Sequence, residues 1–107
     1  MPFNFGIISV ANSATEYSAA MPLGGANSVQ VHALGYNIGG ASSWSIVLQG
    51  SMDQSNWSDI VTWSSLAAGN NYPAKQTAIG FAFVRCKVAP TGGGPITVGI
   101  IGHASHQ

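Results

Sequence analysis

The run Ser43-Trp-Ser-Ile-Val-Leu-Gln-Gly-Ser51, followed by Met52-Asp-Gln-Ser-Asn-Trp-Ser-Asp-Ile60, decides the fold. Trp44, Ile46 and Leu48 fall on one side of a period-two pattern, and Ser43, Ser45, Gln49 and Ser51 fall on the other with Val47. A strand with one buried face requires this alternation, because successive side chains point to opposite faces. Asp53-Gln-Ser-Asn56 then supplies a turn, since Asp and Asn side chains bond nearby backbone and tolerate left-handed conformations. Trp57 opens a second strand, Trp57–Trp63. Its company with Ile46 and Leu48 places Trp44 in the core. Trp57 and Trp63 flank Ser58–Thr62 and are expected to be more open. Asp59 is in phase with Trp57 and Val61, so it is expected to be exposed or paired with a cation.

Outward from this hairpin the period stays near two. Val29, Val31 and Ala33 alternate against Gln30, His32 and Leu34 in the run Ser28–Tyr36, and Ile96, Val98 and Ile100 alternate against Thr97, Gly99 and Ile101. Strand-like runs also cover Phe3–Val10, Thr15–Met21, Lys75–Ile79 and Gly80–Val88. The connectors Pro22–Asn27, Gly39–Ser43, Ala67–Pro73 and Pro90–Pro95 gather residues that allow positive φ or preset a turn. Helical periodicity nowhere outlasts a turn near Ser64–Ala68. Seven to eight short strands in one domain, residues 1–107, predict an all-β chain: a single antiparallel β-sandwich, jelly-roll-like or immunoglobulin-like.

Only 6% of the 107 residues are charged, against 46% hydrophobic, and the formal net charge is zero. An ordinary soluble domain is about 25% charged. Lys75, Arg85 and Lys87 are the whole basic inventory, which offers no electrostatic footprint for nucleic acid. The uncharged stretches are broken every few residues by Ser, Asn, Gln or Gly, so no membrane-spanning helix is expected. Met1-Pro-Phe-Asn-Phe5 has neither the basic region nor the apolar stretch of a signal peptide, which predicts cytoplasmic synthesis. Cys86, the single cysteine, alternates with Ala82, Val84 and Val88 and reads as a small buried hydrophobe.

Alternation also puts apolar side chains on outward positions: Leu34 and Tyr36, Val47, Phe81 and Phe83, and Ile101. A surface with almost no charge does little to repel its own copies. Leu34, Tyr36, Phe81, Phe83 and Trp63 are therefore the candidate subunit interface, and a homo-oligomer, a trimer or larger, is the expected state.

Catalysis has little to work with. Glu16, Asp53 and Asp59 are the only carboxylates, they form no evident acid–base pair, and no Gly-x-Ser-x-Gly elbow is present. The chain is not expected to be an enzyme, nor to hold a cofactor. Asp53, Asn56 and Asp59 are too few for calcium, which takes six to eight oxygens. His103-Ala-Ser-His106 has metal-compatible spacing but no cysteine or carboxylate beside it, and reads as a terminal tail. Asn56-Trp-Ser58 matches the glycosylation pattern, which without an export signal is chance. Trp57, Trp63 and Tyr72 are the candidate platform for a neutral sugar.

Val47–Ile60 resembles the "G-S-x-D-G-x-x-W" hairpin of small β-sandwich modules in phage virion proteins, shared with discoidin-like and carbohydrate-binding sandwiches. Gln54 stands where those proteins often have Gly. Thr77–Val88 and Ile96–Ile101, joined by a Gly-rich turn, resemble the strand pair that ends the same modules. The resemblance covers about half of the chain and carries over no functional residue. It implies a structural subunit of a phage particle, a capsid, capsid-decoration or head-spike protein located in the virion beside other virion proteins. A carbohydrate-binding or lectin-like module is the alternative it leaves.

Overall fold

The computed structural model describes residues 2–12 and 14–106, with side chains from residue 4 onward. The expected domain, residues 1–107, thus includes Met1, Ser13 and Gln107, which lie outside the described residues. The strands are β1 (Pro2–Val10), β2 (Glu16–Tyr17), β3 (Met21–Pro22), β4 (Ser28–Asn37), β5 (Ser43–Ser51), β6 (Ser58–Leu66), β7 (Gly69–Asn71), β8 (Phe83–Thr91) and β9 (Ile96–Ser105). One antiparallel sheet has the order β1-β9-β4-β7; the other has β2-β8-β5-β6, with β3 also on β8. The two pack as a sandwich, as the alternation predicts.

The pairing decides between the two sandwich types. β2 and β3 both run antiparallel to β8, so they act as one interrupted strand. The partners then nest: first with last, second with second-to-last, third with sixth and fourth with fifth. A long hairpin rolled up on itself gives this order, and that is a jelly roll. The run expected as a single strand, Thr15–Met21, is interrupted at Ser18. Its amide donates to Cys86 O at 2.8 Å, but the Cys86 amide donates to Ser18 Oγ at 2.8 Å, so a side-chain oxygen replaces the ladder carbonyl.

Two further expectations are corrected. Lys75–Ile79 forms no strand; Gln76 alone bridges to Val29, exchanging amide bonds of 3.0 and 2.9 Å. The histidine-bearing end is no loose tail, because β9 continues through His103 to Ser105, and Ser28 Oγ donates to Ser105 O at 3.0 Å.

Val29, Val31 and Ala33 from β4, Trp44, Ile46 and Leu48 from β5, Val84, Cys86 and Val88 from β8, and Ile96, Val98 and Ile100 from β9 fill the core. Trp44 is fully buried and reaches across it, its indole Nε1 donating to Ala67 O at 2.9 Å. Gly35 faces it from the opposite sheet, where a Cβ would lie 3.2 Å from Trp44 Nε1 and 2.8 Å from Ala67 O. The indole fills the space that a side chain there would need.

Single-residue bulges adjust which face each strand presents. On β6, Leu48 opposes Val61 while Gln49 opposes Asp59, which leaves Ile60 as the extra residue. On β4, Tyr36 is extra between Gly35 and Asn37. A bulge adds one residue to one strand and so reverses the alternation beyond it.

Candidate functional site

The two outer faces of the sandwich differ in chemistry. None of the chain's three basic and three acidic residues lies in β1, β9, β4 or β7. Glu16, Asp59, Arg85 and Lys87 belong to strands of the second sheet, Asp53 to the β5–β6 turn, and Lys75 to the loop after β7.

On the uncharged sheet, Ile7 and Leu34 both sit opposite Gly99, and Ile101 lies two positions further along β9. The Tyr36 ring lies over Gly99, so close that a Cβ there would be 2.8 Å from it. Ile7 is 69% exposed, Tyr36 58% and Ile101 44%, while Leu34 is half-buried among them. Exposed apolar groups on three adjacent strands form a patch rather than scattered residues. At one side of this face Tyr72, 71% exposed, stacks on His32 with ring centroids 4.6 Å apart and planes 12° from parallel. His32 Nε2 is 2.9 Å from Asn70 Oδ1. A shallow cavity of about 260 Å³ opens beside the pair, lined by Gln30, Val31, His32, Tyr72, Ile101, Gly102 and His103.

The predicted interface set does not form one surface. Leu34 and Tyr36 lie on the patch just described. Trp63, expected to be open, is only 8% exposed: it sits opposite Ile46 on the inner side of β6. The bulge at Ile60 is the reason, because it turns Val61 and Trp63 inward while Asp59 stays outward. Phe81 is also corrected. It precedes β8, so strand alternation does not reach it, and its ring packs against Gly50 and the core. Phe83 is outward but belongs to the second sheet, opposite Ser51. Ile101, outward by alternation, joins the patch; Ile7 is the patch residue without a sequence signal of its own, because the glycine it pairs with lies near the other end of the chain.

The predicted sugar platform is likewise divided. Trp63 is in the core and Tyr72 is beside the uncharged sheet. Trp57, on the second sheet, has its ring 4.2 Å from the Arg85 guanidinium carbon. Of the three, Tyr72 alone presents an open ring beside a cavity.

The turn after β5 carries structure. Ser51 Oγ accepts the amides of Asp53 and Gln54 at 3.1 and 2.8 Å and donates to Asp53 Oδ1 at 3.0 Å. Asp53 Oδ1 accepts the amides of Ser55 and Asn56, both at 2.9 Å, and Oδ2 accepts Asn56 Nδ2 at 2.8 Å. These donors, the Asn56 amide foremost, hold the Asp53 carboxyl well below its ordinary value of 3.8. Asp59 Oδ1 accepts Gln49 Nε2 at 2.8 Å. Burial pushes the Cys86 thiol far up, which keeps it protonated and unreactive. Among the described residues no group of three or more His, Cys, Asp or Glu side chains is placed to hold a metal ion. No helix there is long and apolar enough to cross a membrane.

No protein-family model matches the chain, and no curated protein matches it. A solved structure does: the crystal structure of a PBSX exported protein, XepA, superposes on all of this chain at a TM-score of 0.72 with 8% identity. The chain spans 37% of that protein's length. At so low an identity the likeness is one of fold.

Proposed function

We propose that the chain is a structural subunit of a phage particle, a capsid, capsid-decoration or head-spike component, that assembles with copies of itself through the outer face of the β1-β9-β4-β7 sheet. One observation carries the assembly: a sheet without a single formal charge exposes Ile7, Tyr36 and Ile101 side by side. Covering such a patch removes apolar area from water, at about 25 cal/mol per Å² before the cost of association. The phage reading rests on the hairpin resemblance and on the fold shared with a PBSX protein, PBSX being a phage. Jelly rolls build viral capsids and lectins alike, so the fold alone does not choose.

Sedimentation of the purified chain should give a trimer or larger. The paired change Ile7→Ser and Tyr36→Ser should return it to a folded monomer of 11.0 kDa. A wild-type chain that stays monomeric at high micromolar concentration defeats this reading. The open Tyr72 ring beside its cavity favours the sugar-binding alternative. Glycan binding lost in Tyr72→Ala, with the oligomer unchanged, would establish that alternative instead.

A further inference from the structure

The second sheet presents, on its outer face, a cation that is held from several sides and yet, among the described residues, has no counterion. Arg85 is on β8, flanked by Tyr17 of β2 on one side and by Trp57, the residue just before β6, on the other. Its guanidinium carbon lies 4.2 Å from each ring centroid. Arg85 Nε donates to Gln49 Oε1 at 2.8 Å. Gln49 is turned to offer that oxygen because its own Nε2 donates to Asp59 Oδ1 at 2.8 Å. Asp59 therefore orients the glutamine and stands one amide away from the arginine.

Arginine has five N–H donors in a rigid fork. One is used here, and among the described residues no acceptor or carboxylate engages the other four. Lys87, two positions along the same face of β8, adds a second positive charge. Two rings and a hydrogen bond have already ordered the guanidinium, so a ligand does not have to immobilise it. The open Nη edge matches a planar, bidentate acceptor. The cavity beside Tyr72 lies on the other sheet and does not enclose this guanidinium, so a free small anion would gain little beyond the fork itself. A carboxylate carried on a protein surface brings further contacts with it.

We propose that Arg85, clasped by Tyr17, Trp57 and Gln49, is a docking point for an Asp or Glu side chain of a partner protein. It is separate from the assembly face, which belongs to the other sheet. Arg85 is the chain's single arginine, so its Nε–H gives one guanidinium NMR signal. The full-length chain is titrated with a tetraglutamate peptide, against sodium chloride of equal ionic strength and against inorganic phosphate. The expected result is a saturable shift of the Arg85 Nε–H and Trp57 indole signals, with the buried Trp44 indole unmoved. Arg85→Lys keeps the charge and removes the fork, and losing a charge-assisted bond should weaken peptide binding about tenfold, read by the Trp57 indole. Gln49→Ala should weaken it in the same direction while leaving both rings, and it serves if the lysine variant does not fold. Shifts no larger than those with chloride, undiminished binding by Gln49→Ala, or phosphate binding as tight as the peptide would each overturn the proposal.

Discussion

Gln54 holds a left-handed backbone, with φ at 62°, at the turn position where the sandwich modules that this hairpin resembles often have glycine. Such a conformation costs an L-residue about 1–2 kcal/mol, and glycine's greater chain entropy offsets about 0.5–1 kcal/mol of the relief. The residue's bonds run through its backbone: its amide donates to Ser51 Oγ and its carbonyl accepts Trp57 Nε1 at 3.3 Å. Gln54→Gly should therefore leave stability unchanged or raise it by up to about 1 kcal/mol in chemical denaturation. A clear loss would mean that the glutamine side chain itself contributes. Asp53 yields a pH prediction with a definite sign. Its carboxyl is depressed in the folded chain, so as pH falls below about 4 the unfolded chain takes up the proton first. The stability it contributes is present above that pH and is lost progressively below it. Melting temperatures of the wild type and Asp53→Asn should differ at neutral pH and converge under acid; a constant gap would place the acid sensitivity elsewhere. The turn was readable in the sequence because Asp53 and Asn56 act on neighbours within three residues.

Strands with strict alternation were equally legible: β5, β8 and β9 carry their inward sets in phase from end to end, and β4 does so as far as Gly35, so local pattern and global packing agree. Single-residue bulges were not. Ile60 looks like any strand residue, yet as the extra residue opposite β5 it reverses the phase of the strand as far as Trp63, before a second register shift brings Leu66 inward. That phase change alone puts Trp63 inside the sandwich, against the alternation of the sequence. β7, a Gly-Asn-Asn segment, has no apolar alternation to announce it, and Asn71 secures it through side-chain bonds to Ala33 O and Ala67 O at 3.2 and 2.8 Å. The hairpin's tryptophans turn this into an energetic ranking. Trp44 is fully buried with its indole bonded, so Trp44→Ala should cost about 3–5 kcal/mol. Trp57 is half-buried and stacks on Arg85, a contact worth about 0.5–1 kcal/mol at an accessible site. Denaturant melts should rank Trp44→Ala well below Trp57→Ala; the reverse order would put the β5 register one residue out.

At the scale of the molecule, the scarcity of charge was evident from composition, but its partition between the sheets was not. That partition follows from which distant segments pair, since β1 joins β9 and β2 joins β8 from opposite ends of the chain. The same six charges distributed over both sheets would have left no uncharged face. Segregation gives the two faces different responses to ionic strength. Contacts through the Ile7, Tyr36 and Ile101 face involve no formal charge, and salt screens only charges, with a Debye length of about 10 Å at 0.1 M. Self-association measured by sedimentation should thus change less than about threefold between low and physiological salt, and higher sulfate should strengthen it by favouring apolar burial. Binding of an acidic peptide at Arg85 and Lys87 should weaken over the same range. Two salt responses of opposite kind, read on one sample, separate the faces without any mutation. If self-association weakens about tenfold or more as salt rises, the subunits meet through the charged sheet and the assembly face has been placed on the wrong side of the sandwich.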